Sequence, residues 1–209
     1  MYPVVLSLVN KKVLVVGGGA VAFRKISGIL QKGAQIVVVS PQLNKSMQQL
    51  WRTENIQWVQ REFEVSDVEG AFLVFAATDN SVVNALVASS CSQEQLLNIC
   101  DDGETSSFHT PAVYQRSYLT VAVSTNGVSP GLAKRIRNEI AEQYDDLLDD
   151  YFEFLQTVRQ IVKSGPFTAE EKRGFLTEVL DVRFRESVDA RDTFLKTMDV
   201  SLVTSEKSL

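Results

Sequence analysis

Residues 12–16, Lys-Val-Leu-Val-Val, run into Gly17-Gly18-Gly19 and then into Ala22, Ile26, Ile29 and Leu30, apolar residues at helical spacing. An apolar run without polar alternation suits a strand buried on both faces, and such strands belong almost only to parallel sheets covered by helices. Gly33, just past the helical stretch, stands where a C-terminal cap is expected, and residues 36–39 supply a second buried strand. The result is a βαβ unit, whose crossover should be right-handed.

The rhythm continues with a helix expected to open at Pro41 (Leu43, Met47, Leu50), a short strand over 56–59, an apolar strand over 72–77, a helix over 80–90 and a strand over 96–100. Strands and helices alternating at these lengths predict an α/β fold with a doubly wound parallel sheet. Past Asp101 the pattern changes to a polar loop over 102–107, then Pro111, a strand-like stretch over 118–125 and a turn leading into Ser129-Pro130. Ser129 suits a helix N-cap, and Pro130 suits the first helical position, where a missing N–H costs nothing. From 145 onward the sequence reads as helical, broken at Gly165-Pro166 and restarted by a capping box over 168–171, with fraying expected after 203.

A chain of 209 residues can hold one dinucleotide-binding domain and a smaller second module. No apolar stretch reaches the roughly 18 residues a bilayer span requires, and residues 1–9 carry no basic leader, so a cytoplasmic protein without membrane contact is expected. A net charge of −5 argues against a nucleic-acid surface. Cys91 and Cys100 fit no metal-ligand spacing and read as reduced structural residues, Cys100 as a thiol buried at the end of its apolar run.

The run from Gly17 to Ala22 matches G-x-G-x-x-A between a strand and a helix, the fingerprint of a Rossmann dinucleotide site. Gly17 permits the tight turn, Gly19 lets the backbone approach a pyrophosphate, and Ala22 allows close helix-to-strand packing; Gly18, Ala20 and Val21 complete the loop at a helix N-terminus that favours negative charge. A glycine turn without a ligand is the alternative. The Asp or Glu expected at the end of the second strand is replaced by Ser40-Pro41, and no Arg stands beside Ser40 to pair a 2′-phosphate. NAD is therefore preferred over NADP, with Ser40 and Pro41 at the ribose. Thr78 and Asp79, at the carboxyl end of another strand, either line the same crevice or cap the following helix.

Asp101 and Asp102 follow the strand over 96–100. One reading has Asp101, desolvated beside its twin, as a proton acceptor during hydride transfer; the other is an Asx turn before Gly103. The helix after Pro130 carries Lys134, Arg135 and Arg137 early and Glu139, Glu142, Asp145 and Asp146 late, the reverse of what the helix dipole favours. Those cations either face a polyanion or form a solvated face, with Arg135 and Glu139 spaced to pair at i,i+4. His109, the single histidine, serves as an acid, a base, a single ligand or a loop residue without a role, and one histidine builds no metal site by itself, so none is expected.

Taken together, residues 13–22 with Arg24-Lys25, Ala76-Ala77-Thr78-Asp79-Asn80, Asn98-Ile99-Cys100-Asp101, Phe108 with Pro111, and 123–130 with Leu132-Ala133 and Arg137 resemble the precorrin-2 dehydrogenase family, which includes the N-terminal part of sirohaem synthase. The resemblance implies an NAD-binding Rossmann domain (1–112), a small central dimerisation region (113–145) and a helical C-terminal segment (146–209). It further implies a homodimer and a tetrapyrrole substrate, precorrin-2, oxidised to sirohydrochlorin on the route to sirohaem. Asp101 matches the family's essential aspartate, while Ser124, Thr125 and Ser129 fall in its substrate-contacting segment, joined by His109 and by Arg135 and Arg137, placed to receive substrate carboxylates. No methyltransferase domain follows, so a full trifunctional sirohaem synthase is not expected.

Some members of the family also insert iron into sirohydrochlorin, and a bifunctional enzyme is one alternative. A non-enzymatic NAD-sensing domain is another. A short-chain dehydrogenase would need Tyr-x-x-x-Lys, which no tyrosine of this chain satisfies.

Overall fold

The computed structural model describes residues 1–144 and 147–206, with side chains for all of these except 147 and 199–206. Asp145 and Asp146 of the charge pattern lie outside the described residues. The chain divides into two compact units, Met1–Thr110 and Pro111–Leu209.

In the first unit, β1 (Lys12–Val16), β2 (Gln35–Val39), β3 (Gln57–Val59), β4 (Leu73–Ala76) and β5 (Leu96–Ile99) form one sheet in the order β3-β2-β1-β4-β5. Every neighbouring pair is parallel, with Val16 level with Val39 on one side and with Ala76 on the other. Three helices cover the sheet: α1 (Ala20–Ser27), α2 (Lys45–Arg52) and α3 (Ser81–Ser90).

The predicted α/β sheet is present, and alternation within the strands explains its two cores. Val13 and Val15 pack with Ile36, Val38, Ala22, Ile26 and Met47, while Leu14 and Val16 pack with Val39, Val74, Val87 and Ile99. Successive side chains of a strand point to opposite faces, so both sets must be apolar when both faces are covered.

Local expectations shift in several places. α1 ends at Ser27 with Gly28 as its cap, before Ile29, Leu30 and Gly33; Gly33 has φ +75° and sits against Val9. Pro41 does not open α2, because Asn44 caps it by accepting the Met47 N–H. The helix after β4 is capped by Asn80, whose Oδ1 accepts the N–H groups of Val82 and Val83, not by Thr78 or Asp79. Cys91 and Cys100 are both free thiols, but Cys100 is exposed, since β5 stops one residue before it.

The polar stretch after β5 has a structural task. Ser106 and Ser107 accept the N–H groups of Ile99 and Leu97 with their hydroxyl oxygens, and Asn98 Nδ2 donates to the Phe108 carbonyl. The returning chain thus occupies the free edge of β5, where unpaired strand groups would otherwise be exposed.

In the second unit, β6 (Ala112–Arg116) and β7 (Leu119–Val123) form an antiparallel hairpin, and α4 (Pro130–Gln143) packs on it through buried Ala133. Ser129 and Pro130 stand at N-cap and first helical position as expected. Among the described residues four further helices follow: α5 (Leu147–Ser164), α6 (Ala169–Glu178), α7 (Val182–Glu186) and α8 (Val188–Glu206). The break at Gly165-Pro166 and the box in which Thr168 and Glu171 cap each other's backbone are both present. Helix α8 continues past 203 to Glu206. The helical core is aromatic: Phe154 stacks on Phe184 at 5.5 Å, and Phe194 meets both edge-on. Such pairs add to the burial of their area.

Candidate active site

In a sheet of this order the strand sequence reverses between β1 and β4, and ligands bind outside the carboxyl ends of the strands at that point. Three features of the first unit meet along this edge.

The first is the glycine turn. Gly17 has φ +122°, and a Cβ there would lie 2.3 Å from the Ala77 carbonyl oxygen; at Gly18 a Cβ would lie 1.9 Å from that of Gln42. Both positions thus exclude any side chain. Around Gly19 a Cβ would meet nothing within 4 Å. Gly19 is also the N-cap of α1, and no side chain caps that helix, nor does an acidic residue stand in its first turn. The first N–H groups of α1, beside the exposed Ala20 and Val21, have no side-chain acceptor, the arrangement that suits a phosphate.

The second feature is the end of β2. Ser40 is buried, its hydroxyl donates to the Gln42 carbonyl at 2.8 Å, and its own carbonyl accepts the Trp58 indole N–H at 2.9 Å. Its visible work is to fold the 40–44 loop over Gly18, where the Asn44 N–H reaches the Gly18 carbonyl at 2.9 Å. Pro41 beside it is exposed.

The third is the pair of strand ends at Thr78 and Asp101. Thr78 bonds to the side chain of Asn84 in α3, and Asn84 Nδ2 donates to Asp101 Oδ1 at 2.9 Å. Asp79 is exposed. The two adjacent aspartates separate cleanly in role. Asp102 makes the Asx turn, accepting the N–H groups of Glu104 and Thr105 and the Thr105 hydroxyl, and that hydroxyl above all holds its carboxyl below the usual carboxylate range. Asp101 is free of the turn and exposed, so the expected desolvation beside its twin is absent. His109 donates to the Gly103 carbonyl through Nε2 at 3.1 Å, clasping the loop from 103 to 109. Lys25, whose ammonium donates to Thr110 Oγ1, is pulled below its ordinary value by partial burial.

In the second unit the 124–129 turn is built from its own hydroxyls. Ser124 Oγ accepts the Asn126 N–H, Thr125 Oγ1 the Ser129 N–H, and Ser129 Oγ the Leu132 N–H. Each oxygen acts as an acceptor here, and a hydroxyl in that position keeps a proton to donate. Arg135 pairs with Glu139 at 2.9 Å on an exposed face, and Arg137 reaches the Val113 carbonyl at 3.4 Å.

Among the described residues no group of three or more His, Cys, Asp or Glu is placed to hold a metal ion, and no helix is long and apolar enough to cross a membrane. A cavity of about 800 Å³ lies elsewhere, lined by Lys11, Lys12, Gln35, Phe72 and Gln95. These residues stand at the amino ends of the strands, the wrong edge for the ligands of such a sheet.

Sequence reasoning missed Asn84. A polar residue among the apolar positions of α3 was the available signal, since burial of an amide requires partners.

Comparison with known proteins agrees with this geometry. Residues 4–112 match a family described as putative NAD(P)-binding, 116–143 the central part of sirohaem biosynthesis proteins, and 149–194 the SirC C-terminal domain. The chain is 32% identical over 199 residues to a precorrin-2 dehydrogenase of Priestia megaterium, covering 95% of this chain and 98% of that one. It is 39% identical over 152 residues to a precorrin-2 dehydrogenase of Bacillus subtilis, covering 73% and 91%. A solved structure of SirC, a precorrin-2 dehydrogenase, superposes with a TM-score of 0.85 at 32% identity, covering 95% of this chain and 99% of that one. With the parallel sheet, the open glycine turn and these matches along nearly the whole chain, the protein belongs to the precorrin-2 dehydrogenase family.

Proposed function

We propose that the chain oxidises precorrin-2 to sirohydrochlorin, with NAD as hydride acceptor and Asp101 as the base that takes the accompanying proton. The observation that carries this reading is the shared edge: the uncapped N-terminus of α1 and the exposed Asp101 stand at the carboxyl ends of strands of one sheet. When bound, NAD supplies the acceptor for the hydride.

The chain's own residues do the rest. The first N–H groups of α1 receive the pyrophosphate, with Gly17, Gly18 and Gly19 shaping the turn and Ala20 and Val21 opening the helix. Ser40 and Pro41 border the ribose, where no carboxylate stands. Thr78 and Asp79 line the crevice, and Asp101 accepts the proton. The hydroxyls of Ser124, Thr125 and Ser129, with Arg135 and Arg137, offer donors to a substrate rich in carboxylates, and charge-assisted bonds of this kind are the stronger ones. His109 borders the substrate through the loop it clasps.

The organisation in this reading is a cofactor-binding domain over 1–112, a central region over 113–145 and a helical segment over 146–209, supported by matches over 4–112, 116–143 and 149–194. The central region is the dimer contact in this reading. Leu132 and Val113 are 49% and 43% exposed, which leaves apolar surface for a second copy. A monomer by light scattering would remove that part. We place the reaction in the cytoplasm, in keeping with the two free cysteines.

The test is NADH formation from enzymatically generated precorrin-2 and NAD under anaerobic conditions, with Asp101→Asn alongside. Loss of a general base is expected to lower turnover by roughly 10²- to 10⁴-fold while NAD affinity holds. Wild-type protein that binds NAD without turnover would instead indicate a sensor.

A further inference from the structure

We infer that Asn84 is the positioning residue of Asp101, tying the carboxylate to the end of β4 so that Oδ2 of Asp101 is the oxygen that takes the proton. The inference rests on the reading of Asp101 as the base.

Asn84 is 1% exposed and lies on the buried face of α3 with Val87. It does not cap that helix, since Asn80 does so. Its carboxamide makes a complete set of bonds. Oδ1 accepts the Thr78 N–H at 3.2 Å and the Thr78 hydroxyl at 2.7 Å; Nδ2 donates to the Thr78 carbonyl at 3.2 Å and to Asp101 Oδ1 at 2.9 Å. Two donors meet two acceptors, which fixes the amide's orientation, because a flipped amide would turn N–H against N–H and a carbonyl against the carboxylate.

Three of these bonds join α3 to the end of β4. The fourth reaches across to the residue after Cys100, beyond β5. Asp101 is exposed, so water alone could solvate it; what the amide adds is direction. With Oδ1 held, rotation of the carboxylate is restrained, and Oδ2 makes no hydrogen bond among the described residues. Thr78, on the cofactor side of the crevice in this reading, and the base are then held by one buried group. Proton acceptor and hydride acceptor keep a constant relation, and reaction rates are sensitive to such placement.

A double-mutant cycle on the full-length protein tests this, using Asn84→Ala, Asp101→Asn and the pair, assayed for precorrin-2 oxidation at saturating NAD, with melting temperature recorded for each. Asn84→Ala is expected to lower kcat by roughly 10- to 100-fold with little change in KM for the tetrapyrrole. In the Asp101→Asn background the same replacement should change the residual rate by less than about twofold, because its effect passes through the missing carboxylate. Equal losses in both backgrounds would show a merely structural role and overturn the inference. Full turnover in Asp101→Asn alone would remove the base reading itself, a separate result. Should Asn84→Ala fail to fold, Asn84→Asp keeps the shape and the bonds to the Thr78 N–H and hydroxyl while setting a carboxylate against Asp101. The acid limb of its kcat/KM profile should move to higher pH, as adjacent like charges require, and an unmoved limb would overturn the inference.

Discussion

Two helix N-termini, those of α1 and α4, solve the same local problem in opposite ways. Each leaves backbone N–H groups without partners inside its own helix. In α4, Ser129 accepts one of them, Pro130 removes another, and Lys134, Arg135 and Arg137 stand close behind. In α1 no side chain accepts anything, and the glycine at the cap has open space around it. Capping is the ordinary outcome at a helix start, so its omission at α1 is informative. A helix start that forgoes stabilisation while sitting at the switch point of a parallel sheet is a site for an anion.

The largest effect is expected for Gly18→Ala. The new Cβ would fall on the Gln42 carbonyl, and the loop over Gly18 cannot give way without losing the bond from Asn44. We expect a loss of about 3 kcal/mol or more by denaturant unfolding, with NAD binding abolished.

Altering either cap gives a smaller effect. Ser129→Ala should cost about 1 kcal/mol of stability and leave NAD affinity untouched. Gly19→Ser should change stability by only about 0.3 kcal/mol, since glycine and serine are close as N-caps, yet weaken NAD roughly tenfold by offering the helix an internal acceptor where a phosphate would bind. Calorimetry and NAD titration on both variants read the two quantities separately; equal NAD affinity in Gly19→Ser and wild type would sever the link between the free terminus and the cofactor.

The smallest effect concerns pH. The turn at 65–68 and helix α6 are closed by carboxylates: Asp67 is held below its ordinary value first by the Arg61 guanidinium, and Glu171 by the backbone and hydroxyl of Thr168. A depressed carboxylate contributes stability that is present above its unfolded value of about 3.9 for Asp or 4.3 for Glu, and lost as pH falls through the lower folded value. Stability should therefore decline below about pH 4 in wild type, and less steeply in Glu171→Gln. No carboxylate caps α1, so the Gly19→Ser variant should keep the wild-type slope.

Much of the first unit was legible because its signals are periodic. The apolar runs at 12–16, 36–39 and 72–77 are buried on both faces and show little else, and the glycine turn has one steric reading in that frame. Boundaries were less legible. Ile29 and Leu30 continue the helical spacing of α1 but pack half-buried against the core from a turn, because burial is satisfied by any backbone that brings them there. Strand β6 was not anticipated: its residues alternate between half-buried and exposed, and the hairpin turns at Ser117 with φ +46° instead of at the Gly or Asn that usually marks such a turn.

The site divides in the same way. Asp101 and Asp102 are neighbours of identical chemistry, and spacing could not say which makes the turn. That choice depends on where α3 places Asn84 and where the chain after β5 places Thr105, contacts between residues 3 to 17 apart in sequence. Likewise spacing places Ser40 at the end of β2 but could not show that its hydroxyl donates to the Gln42 carbonyl.

The parallel sheet, the glycine turn at the head of α1, the cap of α4 and the helices beyond α4 were all set by the sequence alone, since each follows from local sterics and a hydrophobic period within a dozen residues. Only the tertiary structure decided that α1 stays uncapped in open space, that Ser106 and Ser107 cover the edge of β5, and that a buried amide holds one aspartate of a pair. These depend on which polar groups find partners once distant segments meet, and a buried group's partners are set by the fold around it, not by its neighbours in the chain.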